Sequence, residues 1–160
     1  MVSRKTQDSV VNGEYFTPHV IEPAFGIDRI IWHILDHNYR ELEKEGESYT
    51  ILSLSPSVAP YDVAILPLFD KDGMGEVARE ITENIGSIPG ISAVIDTSRS
   101  IGRRYARADE IGIPWAVTVD HQSIEDGTVT IRRRDDQTQV RSDVGNLIDL
   151  LTTRSLENIF

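Results

Sequence analysis

The chain has 160 residues and no cysteine, a length that limits it to one domain of ordinary size with a short additional element. Its 39% apolar and 26% charged content excludes intrinsic disorder and fibrous repeats, and such a chain buries roughly 70% of its unfolded surface. Disulfides, thiol nucleophiles and thiolate metal sites are excluded, and with no apolar run near the ~18 residues of a membrane span and no apolar signal-peptide core in MVSRKTQDSVVNGEYF, a cytoplasmic protein is expected.

In chain order, Pro18 and Pro23 flank HVIE, which reads as an extended strand because proline disfavours helix in the residue before it. After Gly26, Ile27, Ile30, Ile31, Ile34 and Leu35 recur at helical spacing, and the helix is predicted to run on to the charged stretch ending at Gly46. This strand–turn–helix unit is too short to bury its own apolar face. SYTILSLSPSVAP at 48–60 reads as a linker or crossing strand, placing a first region at 1–47, a linker at 48–57 and a domain at 58–160. Beyond it a strand at 63–66 leads to a helix at 73–85 with Asp72 as N-cap, a strand at 92–95, a helix after Ser100 ending at Gly112 and Pro114, and a strand at 115–119. A loop to Gly127, a hairpin-like pair at 128–132 and 138–141, and a helix capped by Ser142 complete the chain. The order predicts an α/β fold, a mostly parallel mixed sheet covered by helices.

A net charge of −10 disfavours a nucleic-acid partner, but the distribution does not. Eight of the sixteen basic residues fall between 99 and 141, and all eight are arginine, whose planar fork bonds phosphates and base edges bidentately and stacks on unpaired bases. Arg103, Arg104 and Arg107 form a stripe on one helix, while on the hairpin Arg132 and Arg134 share a face that Arg133 does not. Either these arginines converge on a polyanion, or Asp109, Glu110, Asp135 and Asp136 neutralise them. His33 and His37 stand at i,i+4 without a third ligand, so no metal site is expected. No P-loop, G-x-G-x-x-G or G-x-S-x-G motif is present. Asp62, Asp96 and Asp120 sit at strand ends, as ligand contacts or as caps and turn residues. In VIEPAFGIDRI, Glu22 as a buried strand carboxylate and Arg29 at a helix start suit an ammonium and a phosphate chain, or pair with each other.

PHVIEPAFGIDRI at 18–30, VAPYDVAILPL at 58–68, SIGRRYARADEIGIPWAVTVD at 100–120, DGTVTIRRRD at 126–135 and QVR at 139–141 together resemble class II glycyl-tRNA synthetases of the archaeal and eukaryotic dimeric type. The first stretch is similar to their motif 3, and the rest to their anticodon-binding domain. The resemblance implies a three-layer domain with a five-stranded mixed sheet and flanking helices, preceded by a strand–helix remnant of the catalytic domain. It implies that Arg29 contacts the terminal phosphate of ATP and that Glu22 lines the glycine site, where Ala24 replaces the family's usual serine. Ser98, Arg99, Gln122, Ser123 and Arg132 are implied as anticodon contacts, with Arg103, Arg104 and Arg107 on phosphates or stacked bases. The implied partners are a glycine-acceptor tRNA, with ATP, Mg and glycine for the full enzyme; a homodimer is admitted, and membrane and DNA are not. Motifs 1 and 2 have no counterpart here, so the chain is expected to be a C-terminal piece, inactive by itself and needing no cofactor. The alternative is an anticodon-fold adaptor or accessory subunit without ligase activity.

Overall fold

Gly46, in the left-handed region at φ +83, makes possible the tight turn that sets the fold of the N-terminal third. The computed structural model describes residues 9–11, 13–16, 18–44 and 46–160. A short antiparallel pair, β1 (Ser9–Val11) and β2 (Glu14–Phe16), comes first. Residues 18–26 then run as irregular, exposed chain. HVIE is therefore not a strand here: Ile21 is 95% exposed, and among the described residues no sheet edge pairs with it. The helix α1 (Ile27–Asn38) starts where its spacing predicts but stops well short of Gly46. The charged stretch instead forms β3 (Tyr39–Lys44), paired in register with β4 (Glu47–Leu52) from Lys44↔Glu47 to Tyr39↔Leu52. Period-two alternation prevails over helix propensity because it puts Leu42, Tyr49 and Ile51 on one side of the hairpin.

The 48–57 stretch is consequently no open linker. Ile51 and Leu54 are buried, and a Cβ built on Gly112, at φ +91, would lie 2.8 Å from Leu54 Cδ1 and 3.0 Å from the Leu52 carbonyl oxygen. Arg134 completes the joint by donating to the Gly112 and Leu54 carbonyls at 2.8 and 2.9 Å.

The remaining elements are β5 (Val63–Pro67), α2 (Met74–Gly86), β6 (Ala93–Ile95), α3 (Ile101–Ile111), β7 (Trp115–Val119), α4 (His121–Asp126), β8 (Thr128–Arg133), β9 (Gln139–Asp143) and α5 (Val144–Thr152), ending in a 3-10 turn, Leu156–Ile159. The sheet order is β6-β5-β7-β8-β9; β6, β5 and β7 are parallel, and β8 and β9 are antiparallel additions. Every residue of β5 and β7 is buried, as central strands covered on both faces require. One face packs Val63, Ile65, Val117, Val129 and Ile131 against Met74, Ala78, Ile81 and Ile85 of α2 and Leu147 and Leu151 of α5. The opposite face packs Ala64, Leu66 and Ala116 against Ala108 of α3 and Ile113. Three layers result, each fully buried aliphatic side chain contributing about 1.5–3 kcal/mol.

Three local expectations are corrected. Gly73, not Asp72, occupies the N-cap of α2 in left-handed geometry and gives no side-chain cap bond. Asp143, not Ser142, caps α5 by accepting from the Asn146 amide at 2.8 Å. The stretch after β7 is the helix α4, too short to show periodicity, rather than a loop. Asp120 and Ser123 close its first turn reciprocally, satisfying donors that the helix start leaves free.

Candidate nucleic-acid interface

Because β5 pairs in parallel with both β6 and β7, their C-terminal ends open on one edge, where open α/β sheets bind ligands. Three segments form that edge: residues 68–73 after β5, residues 96–100 between β6 and α3, and α4. The exposed side chains of Arg99 and Arg103 make no ion pair among the described residues. Arg99 also holds an unusual backbone conformation, φ +61.

The rest of the expected arginine stripe turns inward. Arg104 is 4% exposed and donates to the Ser98 carbonyl at 3.0 Å, the Arg99 carbonyl at 2.8 Å and the Pro67 carbonyl. Arg107 donates to Asp96, to the Ser98 carbonyl at 3.1 Å and to the Ser98 hydroxyl at 2.7 Å. Burial pushes the Asp96 carboxyl up, but bonds from Ser98 and Arg107 outweigh it and hold it below the usual carboxylate range. Ser98 is thus tied into its own loop, and Ser123 is buried as the partner of Asp120. Gln122 is exposed at the edge, donating to Asp126 at 2.9 Å.

Arg132 takes a position the sequence does not foretell. It pairs with Ala116 in register, about three residues or roughly 10 Å from the C-terminal edge, and is 6% exposed. Its guanidinium donates to both oxygens of Asp109 at 2.9 Å and lies 4.8 Å from the Tyr105 ring centroid. Burial pushes the Asp109 carboxyl up against the pull of Arg132. An anticodon base would reach Arg132 only by breaking this pair. The neutralisation reading therefore holds for Asp109 with Arg132, Asp135 with Arg134 and Asp136 with Arg133. Glu110 joins no ion pair among the described residues.

Asp62, Asp96 and Asp120 all act as turn or cap residues. Asp62 accepts from the Ser92 amide and hydroxyl. Asp120 accepts a two-pronged bond from Arg141 at 2.8 and 2.9 Å, which with the Ser123 bonds holds its carboxyl far below the usual range despite burial.

Aromatic groups at the edge escape sequence reasoning. Phe69 is 47% exposed, its ring centroid 6.4 Å from that of His121 and 5.5 Å from Lys71 Nζ. An aromatic and a lysine in a loop directly after a buried strand were the available signal. Such a pair offers a flat apolar surface with a cation beside it, suited to stacking an unpaired base.

Elsewhere the expected residues remain apart. Glu22, Ala24 and Arg29 are exposed; Glu22 is not a buried carboxylate here, and among the described residues no ion pair joins it to Arg29. His33 and His37 stack edge-on, centroids 5.8 Å apart, and among the described residues no group of three or more His, Asp or Glu could hold a metal ion. No helix among the described residues is long and apolar enough to cross a membrane.

The mixed five-stranded sheet with helices on both faces is also the fold of part of a prolyl-tRNA synthetase from Cryptosporidium parvum, superposed with a TM-score of 0.54 at 22% identity over 67% of this chain and 24% of that one. This is the architecture of an α/β domain carried by class II synthetases. The chain belongs to the anticodon-binding domain family, whose model matches residues 62–154. It is 48% identical over 151 residues to a glycine–tRNA ligase of Methanothrix thermoacetophila, 47% over 156 residues to that of Methanocaldococcus jannaschii and 51% over 150 residues to that of Methanothermobacter thermautotrophicus. These matches cover 94%, 98% and 94% of the chain and 26% of each relative, so the chain spans about a quarter of their length.

Proposed function

We propose that this chain is the tRNA-recognising part of a glycine–tRNA ligase and binds the anticodon loop of a glycine-acceptor tRNA at the edge formed by β5, β6 and β7. The observation that carries the reading is the pair Arg99 and Arg103, exposed and without an ion pair among the described residues, at the strand ends of a strongly acidic protein of the anticodon-binding family. Their forks meet phosphates or base faces, Gln122 offers an amide to a base edge, and Phe69 with His121 stacks an unpaired base. Ser98, Arg104, Arg107, Ser123 and Arg132 hold the frame behind them.

For the whole protein the proposed reaction is ATP-dependent attachment of glycine to its tRNA, in the cytoplasm, with Mg serving the nucleotide. Arg29 would face the ATP phosphates and Glu22 and Ala24 the glycine. All three lie on exposed chain without an enclosing wall among the described residues, so they do not form a nucleotide site by themselves, and glycyl-adenylate formation is assigned to no residue of this chain alone.

Fluorescence anisotropy with a glycine-acceptor tRNA and the same tRNA carrying a swapped anticodon tests the reading at two salt concentrations. Preference for the first is expected. Arg103→Ala should weaken both and flatten the log–log salt slope by about 0.7–0.9 if it neutralises one phosphate. Equal binding of the two RNAs rejects anticodon reading. One observation favours a second reading, a protein-binding adaptor: the open apolar face of α1, where Trp32 is 67% exposed. No tRNA binding at low salt would select it.

A further inference from the structure

The loop at residues 96–100 is held from beneath by a single buried cation. All three nitrogens of the Arg104 guanidinium bond carbonyl oxygens, two in this loop and one, on Pro67, at the end of β5. Among the described residues no carboxylate lies within ion-pair distance of it. A buried charge ordinarily requires an ionised partner. Here three backbone carbonyl dipoles solvate it in place of a carboxylate.

The residue held by that clamp, Arg99, is one of four non-glycine residues, with Asp72, Gln137 and Arg154, whose backbone lies in the left-handed region. A non-glycine residue in the left-handed region costs of order 1 kcal/mol and persists only where its surroundings fix it. The Arg99 carbonyl is fixed by Arg104, and the preceding Ser98 carbonyl by both Arg104 and Arg107. The outcome is an exposed Arg99 side chain that makes no ion pair among the described residues. Backbone strain and a three-carbonyl clamp converge on one displayed guanidinium.

We infer that Arg104 is a positioning residue for RNA binding: it shapes the 96–100 loop so that Arg99 is presented to the RNA. The inference rests on the reading of this edge as the tRNA surface. Lysine at 104 keeps the charge but lacks the planar fork, so it cannot bridge the same three carbonyls.

The test is a double-mutant cycle on the full chain, with Arg99→Ala, Arg104→Lys and both together, measuring anisotropy with an unmodified glycine-acceptor tRNA transcript. Arg99→Ala should weaken binding on the order of tenfold. Arg104→Lys should cause a similar loss, and in the Arg99→Ala background should add less than about twofold. Arg107→Lys, at a partly exposed position that does not threaten folding, should cause a smaller loss that also vanishes in that background. The amide resonances of Ser98 to Ser100 should move in both lysine variants while those of α2 and α5 stay in place. A merely structural role would give multiplicative losses in the cycle, or would shift resonances throughout the domain. Unchanged affinity, independent losses or unmoved loop amides overturn the positioning role while leaving the proposed function intact. Absence of tRNA binding by the unsubstituted chain overturns the proposed function and this inference with it.

Discussion

Arg132 and Arg104 show how one residue type serves opposite ends of an energy balance. Arg132 is neutralised by a buried carboxylate, so truncating it leaves Asp109 charged and alone. Arg132→Ala is therefore expected to cost about 3–5 kcal/mol, whereas joint replacement with Asp109 by well-packed apolar residues should recover most of that loss. Urea denaturation checks both, and a loss below ~1 kcal/mol for Arg132→Ala would show that the pair is not desolvated in solution. Asp120 adds a pH dependence whose sign follows from its lowered carboxyl. The unfolded carboxyl titrates near ~3.9, so the stabilisation from Arg141 and Ser123 is fully present above that pH. It is lost as pH falls below it toward the depressed native value. Asp120→Asn retains an N-cap side chain, so its deficit relative to the parent should be constant at pH 6–7 and shrink between about pH 4 and 2. A deficit unchanged at acid pH would exclude the ion pair as its source.

At the scale of elements, the joint between the β3–β4 hairpin and α3 fixes where the domain can be cut. Ile51 is 2% exposed, and Ile51→Ala is expected to cost about 2–5 kcal/mol. A chain beginning at Tyr39 should unfold cooperatively near the parent Tm. One beginning at Ser53 should melt clearly lower, because Leu54 loses its cover and the turn at Gly112 its neighbour. Equal melting of the two would refute the docking. These boundaries are partly legible in the sequence. The strands at 63–67 and 115–119, and α2 and α3, were readable because uninterrupted apolar runs and helical spacing match what a two-sided sheet and its covers demand. The hairpin is not legible, because a Glu- and Lys-rich stretch has strong helix propensity and only Leu42, Tyr49 and Ile51 carry the opposing period. At the candidate site, the arginine cluster was visible from residue type alone. Which arginines face outward was not, since α3 packs with Arg104 toward the sheet and Asp109 over Arg132, a tertiary relation that no local spacing encodes.

For the whole molecule, a charge of −10 opposes approach by RNA at long range, while the exposed arginines of the Arg99–Arg103 edge attract phosphates at short range. Association should consequently accelerate as salt rises from very low values and then slow as the arginine contacts are screened, a non-monotonic profile that a uniformly basic binder would not give. A monotonic fall in stopped-flow association rates would argue against this opposition of long-range and short-range charge.

The two tryptophans divide the molecule spectroscopically. Trp115 is 5% exposed and stacks on Phe160 with centroids 5.4 Å apart, whereas Trp32 stands in solvent on α1. Intrinsic emission therefore carries two separable signals. Iodide should quench the red-shifted Trp32 component and spare the blue-shifted Trp115 component, so that Trp115 reports unfolding of the sheet. Any macromolecule that covers the α1 face would announce itself as protection of Trp32 alone, without a label and before its identity is known.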